Sequence, residues 1–197
     1  MIILASQSAA RRAMLSAAGL TFDTLPAHVD EDSVTQGLLA EGASAERIAD
    51  ALAELKALKI SRAHPGALVI GADSIAVTAD GALLAKPETR PRAEAQLREL
   101  SGTTHRLVSA AVAAQGGQPV WRAGGAARLT MRPLSDAFIT DYLDREGEAV
   151  LACVGCYRIE GLGAQLFTRI DGDQYVIRGL PLLALFGWLR ERGELLA

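Results

Sequence analysis

Cysteine is nearly absent from this sequence, since only Cys153 and Cys156 occur among 197 residues. So few cysteines exclude the disulfide framework of a small secreted protein. Long apolar runs are lacking as well, because the longest stretches, such as residues 180–188, are too short for a transmembrane helix. The first residues also lack the charged region and the long apolar region of a signal peptide. We therefore expect a cytoplasmic protein with no membrane partner.

An excess of positive charge is missing too. The formal net charge is −3 at pH 7, which excludes a protein that coats nucleic acid through a basic surface. Any basic residues that bind an anionic ligand must therefore form a local group.

Hydrophobic residues make up 50% of the chain, enough to bury a sizeable core. Strand-like and helix-like segments alternate without a repeat or a linker, which predicts one α/β domain over residues 1–197 with a mixed sheet flanked by helices. We predict helices at residues 9–18, 45–61, 92–100, 135–145 and 181–192, strands at 1–5, 22–25, 67–77, 82–85, 103–114 and 119–130, a loop at 28–35, and further strands within 150–177.

A small polar turn follows the first strand. Ser6 and Ser8 precede a helix that carries Arg11 and Arg12. Free backbone N–H groups at a helix start bind anions, hydroxyls add donors, and arginine grips phosphate oxygens. This pattern predicts a phosphate site. The alternative is that Ser8 only caps the helix and the arginines are solvated.

Carboxylates occur at two further places. The acidic run at residues 30–32 includes Glu31, and carboxylates beside bound phosphates suit Mg²⁺, although a solvated charge run is the alternative. Asp73 interrupts the otherwise apolar segment 68–77. A buried carboxylate is costly unless it is paired or binds a metal, so Asp73 is a candidate functional residue. The alternative interpretation is that Asp73 has a turn or capping role.

Three lone basic residues lie near these segments. Lys56 falls within a predicted helix, Lys86 precedes a proline after a predicted strand, and His105 follows a glycine turn. Each has an ordinary structural explanation by itself.

Cys153 and Cys156 form a C-x-x-C pair, which is the one feature that points to a different class of protein. A redox pair needs its first cysteine at a helix start, but the residues that follow look extended. A zinc site needs a second ligand pair, and the three histidines are scattered. Two small buried thiols are therefore the preferred interpretation.

Taken together and in this order, these segments resemble the Maf family of nucleotide pyrophosphatases. The resemblance covers nearly the whole chain and rests on seven motifs. They are Leu-Ala-Ser-x-Ser-x-x-Arg at 4–11, Val-Asp-Glu at 29–31, Leu-Ala-x-x-Lys-Ala at 52–57, Gly-Ala-Asp at 71–73, Lys-Pro at 86–87, Leu-Ser-Gly-x-x-His at 100–105, and Glu-Gly-x-Gly with Gly-Leu-Pro-Leu at 160–163 and 179–182.

This resemblance implies a twisted mixed sheet with two lobes around a deep cleft, similar to the inosine triphosphate pyrophosphatase fold. It implies hydrolysis of a nucleoside triphosphate to a monophosphate and pyrophosphate, with a divalent metal cofactor, Mg²⁺ or Mn²⁺. The implied roles are Arg11 and Lys56 as phosphate clamps, Lys86 as a further positive charge, Ser6, Ser8 and Arg12 as phosphate contacts, Glu31 and Asp73 as metal ligands, and Asp73 also as the group that activates water.

Two departures from the family pattern bear on the substrate. Ala10 stands where the members that prefer pyrimidines carry an arginine, so one phosphate contact is either missing or supplied by Arg12. Glu160 stands where those members have glutamine, and a carboxylate accepts from the N1–H and the amino group of guanine. The resemblance therefore favours the 7-methyl-GTP branch over the branch that acts on dTTP and UTP.

Three alternatives to this assignment remain open: a pyrophosphatase for several non-canonical nucleotides, a nucleotide-binding regulator of cell division without turnover, and a thiol-disulfide or metal protein. The apolar last helix serves either the core or a homodimer contact, and the sequence leaves both open.

Overall fold

The computed structural model describes residues 1–196, which build one seven-stranded sheet with helices on both faces. The strand order is β2-β1-β3-β5-β6-β7, with β4 paired to β3. Strands β1, β2 and β3 are parallel and the other pairings are antiparallel, so the predicted mixed sheet is confirmed. The strands are β1 Ile2–Leu4, β2 Asp23–Thr24, β3 Leu68–Val77, β4 Leu83–Leu84, β5 Thr104–Gln115, β6 Gln118–Met131 and β7 Phe167–Asp171.

Seven α-helices surround this sheet within the described residues. They are α1 Ala9–Ala17, α2 Glu31–Ala40, α3 Ala45–Ala63, α4 Arg90–Leu100, α5 Asp136–Glu146, α6 Gln174–Ile177 and α7 Leu182–Glu191. Two 3₁₀ turns lie at Gly147–Val150 and Leu162–Leu166. No helix within residues 1–196 has both the length and the hydropathy to cross a membrane.

Side-chain caps explain where several helices begin. The hydroxyls of Ser8, Ser44 and Ser135 each accept a hydrogen bond from the backbone N–H three residues later, at the starts of α1, α3 and α5. Such caps satisfy backbone donors that have no partner within the helix. The predicted cap at Ser135 is confirmed, and Gly19 follows the end of α1 with a φ of 79°.

Helix α3 lies very close to β3. Ile48 and Leu52 of the helix pack on the sheet with Ile75 and other apolar residues of β3 and β5. A Cβ atom on Gly71 would lie 2.2 Å from the backbone oxygen of Ala53, so only glycine permits this approach. The contact places the side of α3 that carries Lys56 directly over the middle of β3.

The apolar core divides into groups that share the long strands β5 and β6. At one end, Leu107 and Leu129 pack with α4, α5 and the aromatic ring of Tyr157. At the other end, β3 and β5 pack against α1 and α7 on one face and against α3 on the other. The two lobes and the deep cleft implied by the family resemblance stay a prediction.

Two predictions about secondary structure were wrong. Residues 28–35 are not a loop, because α2 begins at Glu31 with the Asp30 carboxylate accepting from the N–H of Ser33. The acidic run marks a helix start, where negative charge is favourable. Residues 150–177 contain only one strand, β7. Tight turns replace the others, and a Cβ at Gly163 would lie 2.5 Å from the Arg158 carbonyl oxygen.

His105 is a buried structural histidine of β5. Its side chain is 1% exposed, its Nε2 lies 2.8 Å from the hydroxyl of Tyr157, and its Nδ1 has no hydrogen-bond partner within the described chain. Burial disfavours the imidazolium and lowers the pKa of His105 to about 4.

We therefore predict that His105 makes the protein less stable in acid. Between about pH 6.5 and pH 4 the unfolded chain binds a proton on this residue that the folded chain does not bind. The free energy of unfolding should fall with falling pH across this window, by at most about 3 kcal/mol for this residue. Urea denaturation of the wild type and of His105→Gln at several pH values measures the effect.

The free energy of unfolding of His105→Gln should depend less steeply on pH than that of the wild type. His64 is exposed and offers a control, because His64→Gln should leave the curve unchanged. Parallel curves for the wild type and His105→Gln would contradict the assignment.

Candidate active site

The candidate site lies at a gap in the sheet. On one edge of β3, β1 pairs with residues Leu68–Ile70 and β4 pairs with Ala76–Val77. The other edge of β3 is fully occupied by β5, so β1 and β4 share the first edge. Residues 71–75 have no strand partner there, and Asp73 lies at the centre of this gap.

Asp73 is held by the buried ammonium of Lys56. The Nζ of Lys56 lies 2.6 Å from Oδ1 of Asp73 and 2.8 Å from Oε1 of Glu31. The side chains of Lys56 and Asp73 are each 9% exposed, whereas that of Glu31 is 40% exposed. One cation thus joins two carboxylates from β3 and from the first turn of α2, and Oδ2 of Asp73 is not used by this contact.

The basic residues around Glu31 shift the pKa of its carboxyl group. Burial alone would raise the pKa of Glu31, but the hydrogen bond and the charge of Lys56 outweigh it, with help from Lys86 and Arg11. The pKa of Glu31 is therefore lowered, so this carboxylate is ionised at neutral pH. Lys86, which contributes to this effect, is exposed and follows β4.

Ser6 and Ser8 shape the turn between β1 and α1. The Oγ of Ser6 accepts from the N–H of Ser8 at 3.2 Å, and the Oγ of Ser8 accepts from the N–H of Arg11 at 3.3 Å. Ser8 is therefore the helix cap of the alternative interpretation. Capping does not exclude phosphate binding, because the Ser8 hydroxyl hydrogen is not used by this bond.

Arg11 is buried and most of its donors are engaged by the protein itself. Four of the five guanidinium N–H groups have acceptors, because both hydrogens of Nη1 are used. Nε donates to the carbonyl of Gly179 at 2.7 Å, Nη1 to the carbonyl of Ala72 at 2.9 Å and to Ser6 Oγ at 3.1 Å, and Nη2 to Ser74 Oγ at 2.9 Å. Burial lowers the pKa of Arg11, and the charges of Asp73 and Glu31 oppose this.

The contact with Ala72 belongs to the gap in the sheet. The carbonyl of Ile70 accepts from the N–H of Ala5, just after β1. Two residues later on the same side of β3, the carbonyl of Ala72 meets Arg11 instead of another strand. Arg11 therefore takes the place of the missing strand partner.

Arg12, by contrast, is exposed on α1. No hydrogen bond or ion pair engages its side chain in the part of the chain that the structure describes. Its guanidinium is free to contact an anion beside the Ser6–Ser8 turn.

Glu160 does not join the carboxylate pair. It follows the loop that contains Cys153, where its Oε1 lies 4.0 Å from Nε of Arg158 and its Oε2 lies 3.8 Å from Nε of Arg178. The Nε of Arg178 is buried and forms no hydrogen bond within residues 1–196. The N–H of Glu88 donates to the carbonyl of Leu151, which connects this loop to the segment after β4.

Sequence reasoning missed two residues of this region. Ser74 directly follows Asp73, and Arg178 directly precedes the Gly-Leu-Pro-Leu motif, so both stand beside a recognised motif. Neither residue type signals a function by itself, and only the tertiary contacts show which groups they meet.

The C-x-x-C pair lacks the features of a redox site. The Sγ of Cys156 donates to Oε1 of Gln96 at 2.9 Å, and burial raises the pKa of Cys156 to about 12. Burial also raises the pKa of Cys153. Thiols with a raised pKa are poor nucleophiles at neutral pH, so the geometry favours a structural role.

The residues present fit a divalent metal that also binds substrate phosphates. Within residues 1–196 no group of three or more His, Cys, Asp or Glu side chains converges on one point. The carboxylates of Glu31 and Asp73 nevertheless meet at Lys56, and each keeps one oxygen that Lys56 does not contact. One or two carboxylates, completed by phosphate oxygens, form the usual Mg²⁺ site in phosphoryl-transfer enzymes.

Comparison with known proteins agrees with this geometry. The profile of the family described as Maf-like protein matches residues 1–192. A protein of Sphingopyxis alaskensis, named nucleoside triphosphate pyrophosphatase, is 55% identical over 192 residues, which cover 98% of this chain and 97% of that protein. Proteins with the same name from Paramagnetospirillum magneticum and Caulobacter vibrioides are 51% and 49% identical, over 98% of this chain and 99% and 96% of theirs.

The family profile matches nearly the whole chain and three relatives are about half identical to it over almost their full length, so the chain belongs to the Maf family.

Proposed function

We propose that this protein is a nucleoside triphosphate pyrophosphatase, a hydrolase that cleaves between the α- and β-phosphates to give a nucleoside monophosphate and pyrophosphate. The observation that carries the proposal is the pair of carboxylates, Asp73 and Glu31, which a buried Lys56 holds at the gap in β3. The name shared by the relatives supports the same reaction.

Asp73 is suited to activate water in this reaction. Its Oδ1 is engaged by Lys56, so Oδ2 accepts a proton from the water that attacks the α-phosphorus. The ammonium of Lys56 holds the carboxylate in one orientation and brings a positive charge close to the phosphates. Pyrophosphate then leaves on the side opposite the attacking water.

The phosphates bind at the start of α1. Free backbone N–H groups there, the hydroxyls of Ser6 and Ser8, and the exposed Arg12 and Lys86 provide the donors. Arg11 supplies its one remaining N–H and its charge. Glu31 and Asp73 would hold a divalent metal, Mg²⁺ or Mn²⁺, which would neutralise charge on the phosphate oxygens.

Glu160 is the candidate for recognition of the base. Its two oxygens lie beside Arg158 and Arg178, so the carboxylate is held as a hydrogen-bond acceptor. Guanine presents two neighbouring donors, N1–H and the exocyclic amine, which a carboxylate accepts together. We therefore propose 7-methyl-GTP as the preferred substrate, with dTTP, UTP and other non-canonical nucleotides as the competing choices.

The substitution Asp73→Asn should lower kcat by on the order of 10²-fold or more, because it removes the base while keeping the size of the side chain. The measurement is pyrophosphate release from 7-methyl-GTP, GTP, dTTP, UTP, CTP and ITP, with and without Mg²⁺ or Mn²⁺. Asp23→Asn, at an exposed position of β2, is the matched control and should stay within twofold of wild type. No release by wild type from any nucleotide would leave a nucleotide-binding protein without turnover.

The two neighbouring arginines should behave differently. Arg11→Ala leaves the carbonyls of Ala72 and Gly179 without a donor, so it should lower the free energy of unfolding by about 3 kcal/mol. Arg12→Ala should leave that quantity unchanged, raise KM several-fold and weaken the dependence of KM on salt. Denaturation together with kinetics at two salt concentrations distinguishes them, and equal loss of stability in both would refute this division of roles.

Replacing Glu160 by glutamine should reverse part of the base preference. An amide accepts at only one of its two ends, so Glu160→Gln should reduce the ratio of kcat/KM for 7-methyl-GTP to kcat/KM for dTTP by about tenfold or more. The control is Glu148→Gln, at an exposed position of the same region. A ratio that stays constant would assign base recognition to other residues.

A further inference from the structure

A closed set of hydrogen bonds surrounds Arg11 and connects β3 with the C-terminal segment. Nη2 of Arg11 meets Oγ of Ser74 at 2.9 Å, and that Oγ lies 2.8 Å from Oγ of Ser109 on β5. Ser109 donates to the carbonyl of Val176 at 2.7 Å. The same carbonyl accepts from the N–H of Gly179, and the carbonyl of Gly179 accepts from Nε of Arg11.

The direction of donation through the two serines is determined by the groups on either side of them, the guanidinium of Arg11 and the carbonyl of Val176. Arginine only donates and a carbonyl only accepts. Each serine hydroxyl has one hydrogen, and that of Ser109 is used on Val176, so Ser109 must accept from Ser74. Ser74 in turn accepts from Arg11. The hydrogen bonds therefore run one way, from Arg11 through the two serines to α6.

The set joins two parts of the proposed site that are distant along the chain. Ser74 is the residue after Asp73, and Arg11 also binds the residue before it, Ala72. Gly179 is the residue after Arg178, whose Nε lies 3.8 Å from Glu160. The strand that carries the proposed base is thus connected to the turn that carries the partner of Glu160.

Little space is left for this connection to adjust. Ser109 is completely buried, and Gly125 lies opposite it on β6. A Cβ at Gly125 would lie 2.7 Å from the side chain of Val176, and a Cβ at Gly179 would lie 3.1 Å from both Arg11 Nε and Ser74 Oγ. Gly125 and Gly179 therefore lie close against these side chains, with little room for a larger residue.

We infer that Ser74 and Ser109 are positioning residues for the reaction. They act through Arg11 and the Val176–Gly179 turn to hold Asp73 and Arg178 in fixed relation, and neither serine has to touch the substrate. The inference rests on the proposed function and deepens it. Because an error of about 1 Å in placing reacting groups costs on the order of 10²-fold in rate, the loss of one hydroxyl here should be visible in kcat.

The test compares Ser74→Ala, Ser109→Ala and the double variant with Ser61→Ala. Ser61 of α3 is the matched control, because it is as buried as Ser109. Its Oγ accepts one hydrogen bond, from the N–H of Gly117 at 3.0 Å, and it is not part of the set around Arg11. Kinetics with the best nucleotide are measured well below the melting temperature of every variant. Amide hydrogen exchange of residues 176–180 is measured in the absence of nucleotide.

We expect each serine variant to lower kcat about 10- to 100-fold with little change in KM. The kcat of the double variant should be no lower than that of the less active single variant, because the effects of residues that act as one unit do not add. Amides 176–180 should exchange at least about tenfold faster in Ser109→Ala. Ser61→Ala should change neither kcat nor this exchange by more than about twofold, even if it lowers the melting temperature as much as Ser74→Ala and Ser109→Ala do.

Three results would overturn the inference: unchanged exchange in Ser109→Ala, a loss of kcat no larger than in Ser61→Ala, or fully multiplicative losses in the double variant. A wild type that releases no pyrophosphate would refute the proposed function instead. In that case faster exchange in Ser109→Ala would still establish the connection between β3 and the turn.

Discussion

The site depends on one buried ammonium ion. Lys56 comes from the middle of α3, and its Nζ meets Asp73 of β3 and Glu31 of α2 at hydrogen-bond distance. Removing the charges of Lys56 and Asp73 from water costs several kcal/mol for each ion, so each of these two is tolerable only while the other is present. The position of Asp73 is therefore coupled to the packing of α3, which in turn requires the glycine at position 71.

The interrupted edge of β3 gives these charges access to a ligand. A strand paired on both edges would leave no room beside Asp73, whereas β1 ends before it and β4 begins after it. The residues that follow β1 and β4, the Ser6–Ser8 turn and Lys86, are consequently delivered to the two ends of the gap. Sheet topology alone brings together these three segments, which are far apart in sequence.

Much of this arrangement could be predicted from the sequence, because local signals agree with the final structure. Helix α3 has apolar residues at helical spacing and a serine cap, and β3 is an apolar run that one carboxylate interrupts. Where two physical explanations compete, prediction was weaker. The acidic residues 30–32 suit both a solvated loop and a helix start, and the glycines of 147–163 permit turns that no periodicity describes.

The contacts of Arg11 were beyond prediction for a different reason. Its acceptors lie on Ser6, Ala72, Ser74 and Gly179, and three of these four come from distant parts of the chain. A sequence motif reports that an arginine is present but not which oxygens surround it. The same holds for Arg178 and Glu160, whose proximity depends on turns between 147 and 179.

The surroundings of Arg11 have a consequence for electrostatics. Its guanidinium lies among carbonyl and hydroxyl oxygens, and none of its hydrogen bonds goes to a carboxylate. These oxygens replace a hydration shell, so they solvate the cation without neutralising it. In a poorly polarisable interior the field of such an ion reaches far, and it already stabilises the negative charge of Glu31. An anion that arrives at the gap would therefore experience the field of Arg11, reduced by the nearby carboxylates of Asp73 and Glu31, without having to contact the guanidinium.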